Sequence, residues 1–162
     1  VILEEERLIM KKSTVRFLSS AAVILPVVVL SCACAMVQML LSSVPSAVVA
    51  GVLGLVMYVI WAGGIVWTIV RHLRGASLVL SLLLLCSLAL FAVAYAMDYG
   101  LFSMKGTLWT IGQLCGSPMY ILTDGIEKLT RMENGAAAIL AAVAYLLPCI
   151  AGTAYAAGRD KR

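Results

Sequence analysis

Residues Ala76–Met97 read ASLVLSLLLLCSLALFAVAYAM, 22 consecutive positions without an Asp, Glu, Lys or Arg. At ~1.5 Å rise per residue, a helix of this length covers the ~30 Å hydrocarbon core of a bilayer. Three further stretches meet the same test. Phe17–Leu41, Ala47–Val70 and Gly135–Gly158 hold 24 or 25 residues each and no charged side chain. The whole chain of 162 residues is 63% hydrophobic and 12% charged. Soluble domains lie nearer half apolar and a quarter charged, so one soluble core would not hide this much apolar surface. Backbone N–H and C=O groups must be satisfied internally in lipid, and the alternation of a barrel strand is absent, so each stretch is expected to be a helix.

The fold these features predict is an all-α integral membrane protein. It is a four-helix transmembrane bundle with an outer amphipathic, interfacial helix. Residues 1–16 form a basic N-terminal segment, 17–158 the membrane domain and 159–162 a basic tail. The spans are placed at about 17–41, 47–70, 76–97 and 135–158, with an outer segment over 98–134.

Basic residues set the expected orientation. Four crossings put both ends and the second connector on one side, with Arg7, Lys11, Lys12, Arg16, Arg71, Arg74, Arg159, Lys161 and Arg162. The other side has only Lys105, Lys128 and Arg131, beside Asp98, Asp124, Glu127 and Glu133. Basic residues concentrate on the cytoplasmic side, so both ends are expected there, in a bacterial plasma membrane. Phe17, Trp67 and Tyr155 then fall near the inner interface, and Tyr95, Tyr99, Phe102 and Trp109 near the outer one. Met10-Lys11-Lys12 before an apolar run, with Ala33-Cys34-Ala35 further on, has the look of a secretory signal. The run continues to Leu41, however, beyond the 7–15 residues of a signal core, so a retained span is expected.

The connectors differ in length. Ser42–Ser46 is a tight outer turn and Arg71–Gly75 a tight inner one, which makes the first three spans antiparallel neighbours. The outer segment Asp98–Asn134 runs for 37 residues, more than crossing requires, and long structured loops are where function tends to sit. Thr107–Thr123 is uncharged and moderately apolar, and Gly116-Ser117-Pro118 is expected to break it, so it is read as surface-lying or partly re-entrant. Ser117 and Pro118 read as the cap and first turn of a helix. Met119, Leu122, Ile126 and Leu129 mark its apolar side. Asp124–Lys128 and Glu127–Arg131 are i,i+4 pairs in the favourable order. Asn134-Gly135 would turn the chain into the last span. As a cap this helix would lie on the membrane surface. As a docking surface or gate it would act through Glu127, Lys128 and Arg131.

Small residues mark where helices can approach closely, because packing rather than hydrophobicity holds helices together in lipid. The fourth span has 14 Gly, Ala or Thr among 24 positions, and the second has Ala47/Gly51 and Ala50/Gly54 at i,i+4. Gly51, Gly54, Ala141 and Gly152 are therefore the candidate packing positions, joining the second and fourth spans or another subunit. The third span, with eight leucines, is expected to face lipid. Pro26 and Pro148 should kink their helices.

Chemistry is narrowed by the same topology. His72, the one histidine, is expected across the membrane from Asp98, Asp124, Glu127 and Glu133. No zinc-ligand spacing, nucleophile elbow or phosphate-binding loop occurs, so no catalytic residue, metal or cofactor is expected. The spans hold no acidic or basic residue of the kind that ion-coupled carriers place at membrane depth. Cys32 and Cys34 point to nearly opposite helix faces, Cys86 and Cys149 lie mid-span, and Cys115 is the thiol expected to reach the outer side. In outline the topology resembles the disulfide-forming quinone reductases of bacterial inner membranes. Those enzymes need a cysteine pair in each outer loop. Here the first loop has none and the second has Cys115 alone, so the resemblance carries over no site residue.

The functional expectation is a non-catalytic accessory or assembly subunit of a membrane complex. Its partners would be the lipid bilayer and a membrane protein or further copies of itself, with no role for nucleic acid. A small channel or transporter formed by oligomerisation is the alternative, and a membrane thiol-redox enzyme a third reading.

Overall fold

The computed structural model describes residues 2–41, 46–96 and 107–158, with side chains at 14, 15, 17–41, 46–93, 117–133 and 135–158. Several expectations lie outside these described residues: the turn at Ser42–Pro45, the aromatic rings of Tyr95, Tyr99, Phe102 and Trp109, the Cys115 thiol, and the basic side chains of the N-terminal segment and the tail. The described residues form five helices and no strand. They are α1 (Ile2–Leu41), α2 (Ala47–Val70), α3 (Arg74–Ala96), α4 (Thr107–Thr130) and α5 (Asn134–Ala157). Four of them contain a segment long and apolar enough to cross a membrane: Phe17–Leu41, Ala47–Val70, Arg74–Val93 and Gly135–Ala157.

Local chemistry explains the helix ends. Ser46 caps α2, its hydroxyl accepting from the Val49 N–H at 3.4 Å. At the other end of α2 the Leu73 N–H returns to the Thr68 carbonyl (2.8 Å) and the His72 N–H to that of Ile69 (3.1 Å). This paired arrangement closes a helix with one left-handed residue, a place usually taken by glycine. His72 fills it at φ 56°. α4 ends similarly, with Arg131 at φ 56° and its N–H on the Glu127 carbonyl at 2.8 Å. Arg131 thus makes the turn that the sequence assigns to Asn134-Gly135, and Asn134 is already helical.

α4 departs most from expectation. It begins at Thr107 and passes through Pro118 as one helix of 24 residues. Gly116-Ser117-Pro118 neither breaks it nor starts it. Ser117, Pro118, Met119, Ile121, Leu122, Thr123 and Gly125 are all buried. At ~100° per residue these positions cover about two-thirds of the helix circumference. A helix lying on a surface buries a narrower stripe. The middle of α4 is instead enclosed by protein, and the helix touches all four others, α2 most extensively.

Two close seams hold the bundle. In the first, Ala50, Gly51 and Gly54 of α2 meet Ile121, Leu122, Gly125 and Leu129 of α4. A Cβ on Gly54 would stand 3.2 Å from the Ile121 carbonyl oxygen, and one on Gly125 would stand 2.8 Å from that of Ala50. In the second, Gly152 of α5 faces Ser77 and Ser81 of α3. Ser77 donates to the Gly152 carbonyl at 3.1 Å, and the Cys149 thiol reaches the Ser81 carbonyl at 3.8 Å. The third span is therefore not simply a lipid-facing helix. Ser77, Leu80, Ser81, Leu84, Ser87 and Phe91 turn inward, while Leu78, Leu82, Leu83 and Leu90 face out. Its serines are small enough to admit α5, and that feature is hidden by counting leucines.

The core between the seams is built from Met57, Trp61 and Ile65 of α2, Leu80 and Leu84 of α3, Met119 and Ile121 of α4, and Ala141 and Tyr145 of α5. α1 joins through one narrow stripe, Val27, Ser31 and Ala35 at successive i,i+4 positions. Within it the Trp61 indole N–H donates to the Ser31 hydroxyl at 3.1 Å, and that hydroxyl donates to the Met57 sulfur at 3.4 Å.

The seam makes a graded prediction for unfolding in detergent. Gly125→Ala should destabilise by ~1–3 kcal/mol, because backbone must move to admit a methyl group. A Cβ on Gly63 meets nothing within 4 Å, so Gly63→Ala should be neutral or stabilising by up to ~1 kcal/mol. Gly54→Leu should likewise cost more than Ala89→Leu at an exposed site on α3. Equal melting for both members of each pair would refute the close contact.

Candidate functional site

Two polar clusters lie at opposite ends of the bundle. The first is the corner between α4 and α5. Asp124 is partly buried there and takes a hydrogen bond from the Gln38 amide of α1 at 3.2 Å. The Lys128 ammonium stands 3.1 Å from each of its carboxylate oxygens. Asp124 thus ties α4 to α1 by a side chain, where the apolar stripe of α1 ends. Beyond it the surface becomes exposed at Lys128, Leu129, Thr130, Arg131, Met132 and Glu133.

The expected docking residues Glu127, Lys128 and Arg131 all sit at this corner. They do not form the pattern the sequence suggests. Asp124–Lys128 is an ion pair, but Arg131 has left the helix and returns to Glu127 through its backbone N–H. Glu127 is half-buried and Arg131 exposed. The expected apolar side of α4 also divides. Met119 and Leu122 are buried and Ile126 is half-buried. Leu129 remains 58% exposed even though its side chain lies where a Gly51 side chain would be.

The packing candidates are all buried but do not converge on one interface. Gly51 and Gly54 face α4, Gly152 faces both Ser77 and Ser81 of α3 and Ile65 of α2, and Ala141 lies in the core. The second and fourth spans, paired in the sequence reading, do touch, but α2 makes its most extensive contact with α4, and α5 with α3. α4 carries its own small residue at the contact point, Gly125, on which sequence reasoning placed no weight.

The second cluster surrounds the α2–α3 turn. The left-handed backbone of His72 presents its ring to α5, where Nδ1 lies 3.0 Å from the Tyr155 hydroxyl. The Arg74 guanidinium stands 5.8 Å from the centre of the Tyr155 ring, and that of Arg71 lies 4.8 Å over Trp67. The sequence places His72 in the inner turn but does not by itself bring it to Tyr155. The available signal was Tyr155, an aromatic residue expected on the same side as the turn. No group of three or more His, Cys, Asp or Glu side chains is placed to hold a metal ion among the described residues. No family model matches the chain, and no curated protein or solved structure matches it either.

Asp124 and Lys128 separate in a melting experiment. Lys128→Ala should change stability by only ~0–1 kcal/mol, as for an exposed ion pair. Asp124→Ala should cost ~1–3 kcal/mol, because the Gln38 amide loses its acceptor in a partly buried place. It should also speed amide hydrogen exchange over residues 36–41 of α1. Unchanged exchange there would show that Asp124 does not hold α1.

Proposed function

We propose that the chain is a polytopic membrane protein with both ends in the cytoplasm of a bacterial cell. It acts as a non-catalytic accessory or assembly subunit and docks a membrane partner through the α4–α5 corner. The observation that carries this reading is the corner itself. Leu129, at the end of α4, and Met132, just beyond it, stand exposed beside Lys128, Arg131 and Glu133, after turns of α4 that are enclosed by the other helices. Methionine and arginine, here Met132 and Arg131, are among the residues enriched in protein interfaces. The uneven distribution of basic residues supports placing this corner outside. In this reading α4 is one continuous helix whose middle is sheltered by the four candidate spans, so its backbone is satisfied within the helix and the site of Pro118 is surrounded by protein.

A second reading, a small channel or transporter formed by several copies, is favoured by a different observation. The Ser81, Ser87, Thr123 and Tyr145 hydroxyls are buried on α3, α4 and α5 without a hydrogen-bond partner among the described residues. Polar groups of this kind inside a bundle are costly unless something polar reaches them.

Purification in mild detergent tests both readings. Docking predicts a reproducible heteromeric partner whose recovery falls at least tenfold in Leu129→Glu or Arg131→Glu while the melting temperature stays within a few degrees. A closed homo-oligomer insensitive to these changes would favour the second reading instead. Orientation is tested in a background lacking the five native cysteines. An impermeant thiol reagent applied to intact cells should label Thr130→Cys and leave His72→Cys unlabelled. The reverse pattern would place the corner inside.

A further inference from the structure

Hydroxyls along these helices commonly donate to a carbonyl one turn back. Thr68, Thr130 and Thr153 do so at 2.6, 2.6 and 2.8 Å. Ser87 of α3, Thr123 of α4 and Tyr145 of α5 do not. They are 3%, 4% and 1% exposed, and none of their hydroxyls has a hydrogen-bond partner. A buried tyrosine hydroxyl normally finds one, and an unmet hydroxyl inside a packed core is costly. Ser81, a fourth such group, lies apart from these three against Gly152.

Helix register brings the three to one place. Ser77 meets the Gly152 carbonyl and the Ser81 carbonyl meets the Cys149 thiol, so α3 and α5 run antiparallel. Continuing that register puts Tyr145 level with Leu85, ~3 Å along the axis from Ser87 at ~1.5 Å per residue. Tyr145 also packs at 5.5 Å against Tyr58 of α2, one turn from Gly54, where α4 crosses with Ile121, Leu122 and Gly125. Thr123 lies among these residues in the chain but ~150° round the helix from their common face. Its neighbour Asp124 meets α1. The side left for the buried Thr123 is the one toward α3 and α5, both of which α4 touches.

We infer that Ser87, Thr123 and Tyr145 hold an internal water between α3, α4 and α5, enclosed within a single chain. A buried water makes about 2–4 hydrogen bonds, and three hydroxyls, each able to donate and to accept, meet that need. The occupant is neutral, because the hydroxyls carry no charge and the apolar stretches of α3 and α5 hold no acidic or basic residue to balance one. It is small, because Leu84, Met119 and Ala141 of the same three helices are fully buried in the core. Tyr145 is the eleventh of the 23 residues of Gly135–Ala157, so the site lies halfway along the bundle. The water joins α4 to α3 and α5, as the glycine seam joins it to α2. The site is complete in one chain and depends on neither functional reading.

The test uses the full chain in mild detergent. X-ray radiolysis turns water into hydroxyl radicals where it stands, so only side chains beside a water are oxidised. Tyr145 should be labelled at least fivefold faster than Leu80, which is equally buried but lies in apolar surroundings. This measurement needs no variant. In melting experiments Ser87→Ala, Thr123→Val and Tyr145→Phe should each lower the transition, because each takes a partner from the same water. The double variant Ser87→Ala with Tyr145→Phe should lose little more than the worse single one, since residues sharing one partner are not additive. A higher transition in Tyr145→Phe would mean that nothing holds the hydroxyl and would overturn the inference. Strictly additive losses would overturn it too, as would labelling of Tyr145 no faster than that of Leu80. In a background lacking the native cysteines, Tyr145→Cys should stay unmodified by an aqueous thiol reagent. Modification there would replace the enclosed water with a path open to bulk solvent.

Discussion

The approach of α2 to α4 at Gly54 and Gly125 is the contact on which the arrangement of the other helices depends. In lipid no hydrophobic force draws helices together, so a fifth helix enters a four-span bundle only where backbones can pack more closely than lipid packs against them. Gly125 brings the α4 backbone against the Ala50 carbonyl, and Gly54 brings α2 against Ile121 and Leu122. Without these small residues α4 would be held away by side chains and its polar backbone ends would lie in a looser setting. With them, Met119 and Ile121 reach the core beside Met57 and Tyr145. α5 packs chiefly against α3, where Ser77 and Ser81 make room for Gly152, and touches Ile65 of α2 at the same point.

The all-helical class, the four apolar candidate spans and their approximate limits were legible in the sequence, because length and freedom from charge occur together in these stretches. Ala47–Val70 is identical in both readings, and the end of the fourth span differs by one residue. The position of α4 was not legible. Its face enclosed by protein is so wide that periodic spacing no longer marks one stripe, and Gly116, Ser117 and Pro118 imitate a helix start. Proline inside a helix removes one backbone donor, a loss tolerated where neighbouring helices surround the site. The docking candidates Glu127, Lys128 and Arg131 were located together by sequence, but Arg131 leaving the helix changed which groups pair.

Polar side chains do different work at the two kinds of helix contact. At the α1–α2 contact, Ser31 links the Trp61 indole to the Met57 sulfur and anchors a helix that buries little else. At the α3–α5 contact, Ser77 both admits the α5 backbone and satisfies the Gly152 carbonyl. The fully buried stripe of α1 runs through Val27, Ser31 and Ala35, and Val23 and Ile24 before it are half-buried against the same core.

His72 and Arg131 show where local cost was accepted. Both close a helix in the left-handed conformation, which disfavours a side chain by ~1–2 kcal/mol. Glycine would be the cheaper residue for the turn alone. A cation at a helix C-terminus recovers ~0.3–1 kcal/mol through the dipole, less than the strain, so the dipole does not by itself account for Arg131. In both cases the strained backbone aims a side chain that glycine would lack. His72 meets the Tyr155 hydroxyl of α5, and Arg131 stands at the exposed corner beside Met132. Backbone strain of this kind persists where the surrounding structure enforces it, and it tends to gather at sites that bind. The two left-handed residues therefore belong to the two polar clusters at the ends of the bundle, each closing the helix that carries its cluster.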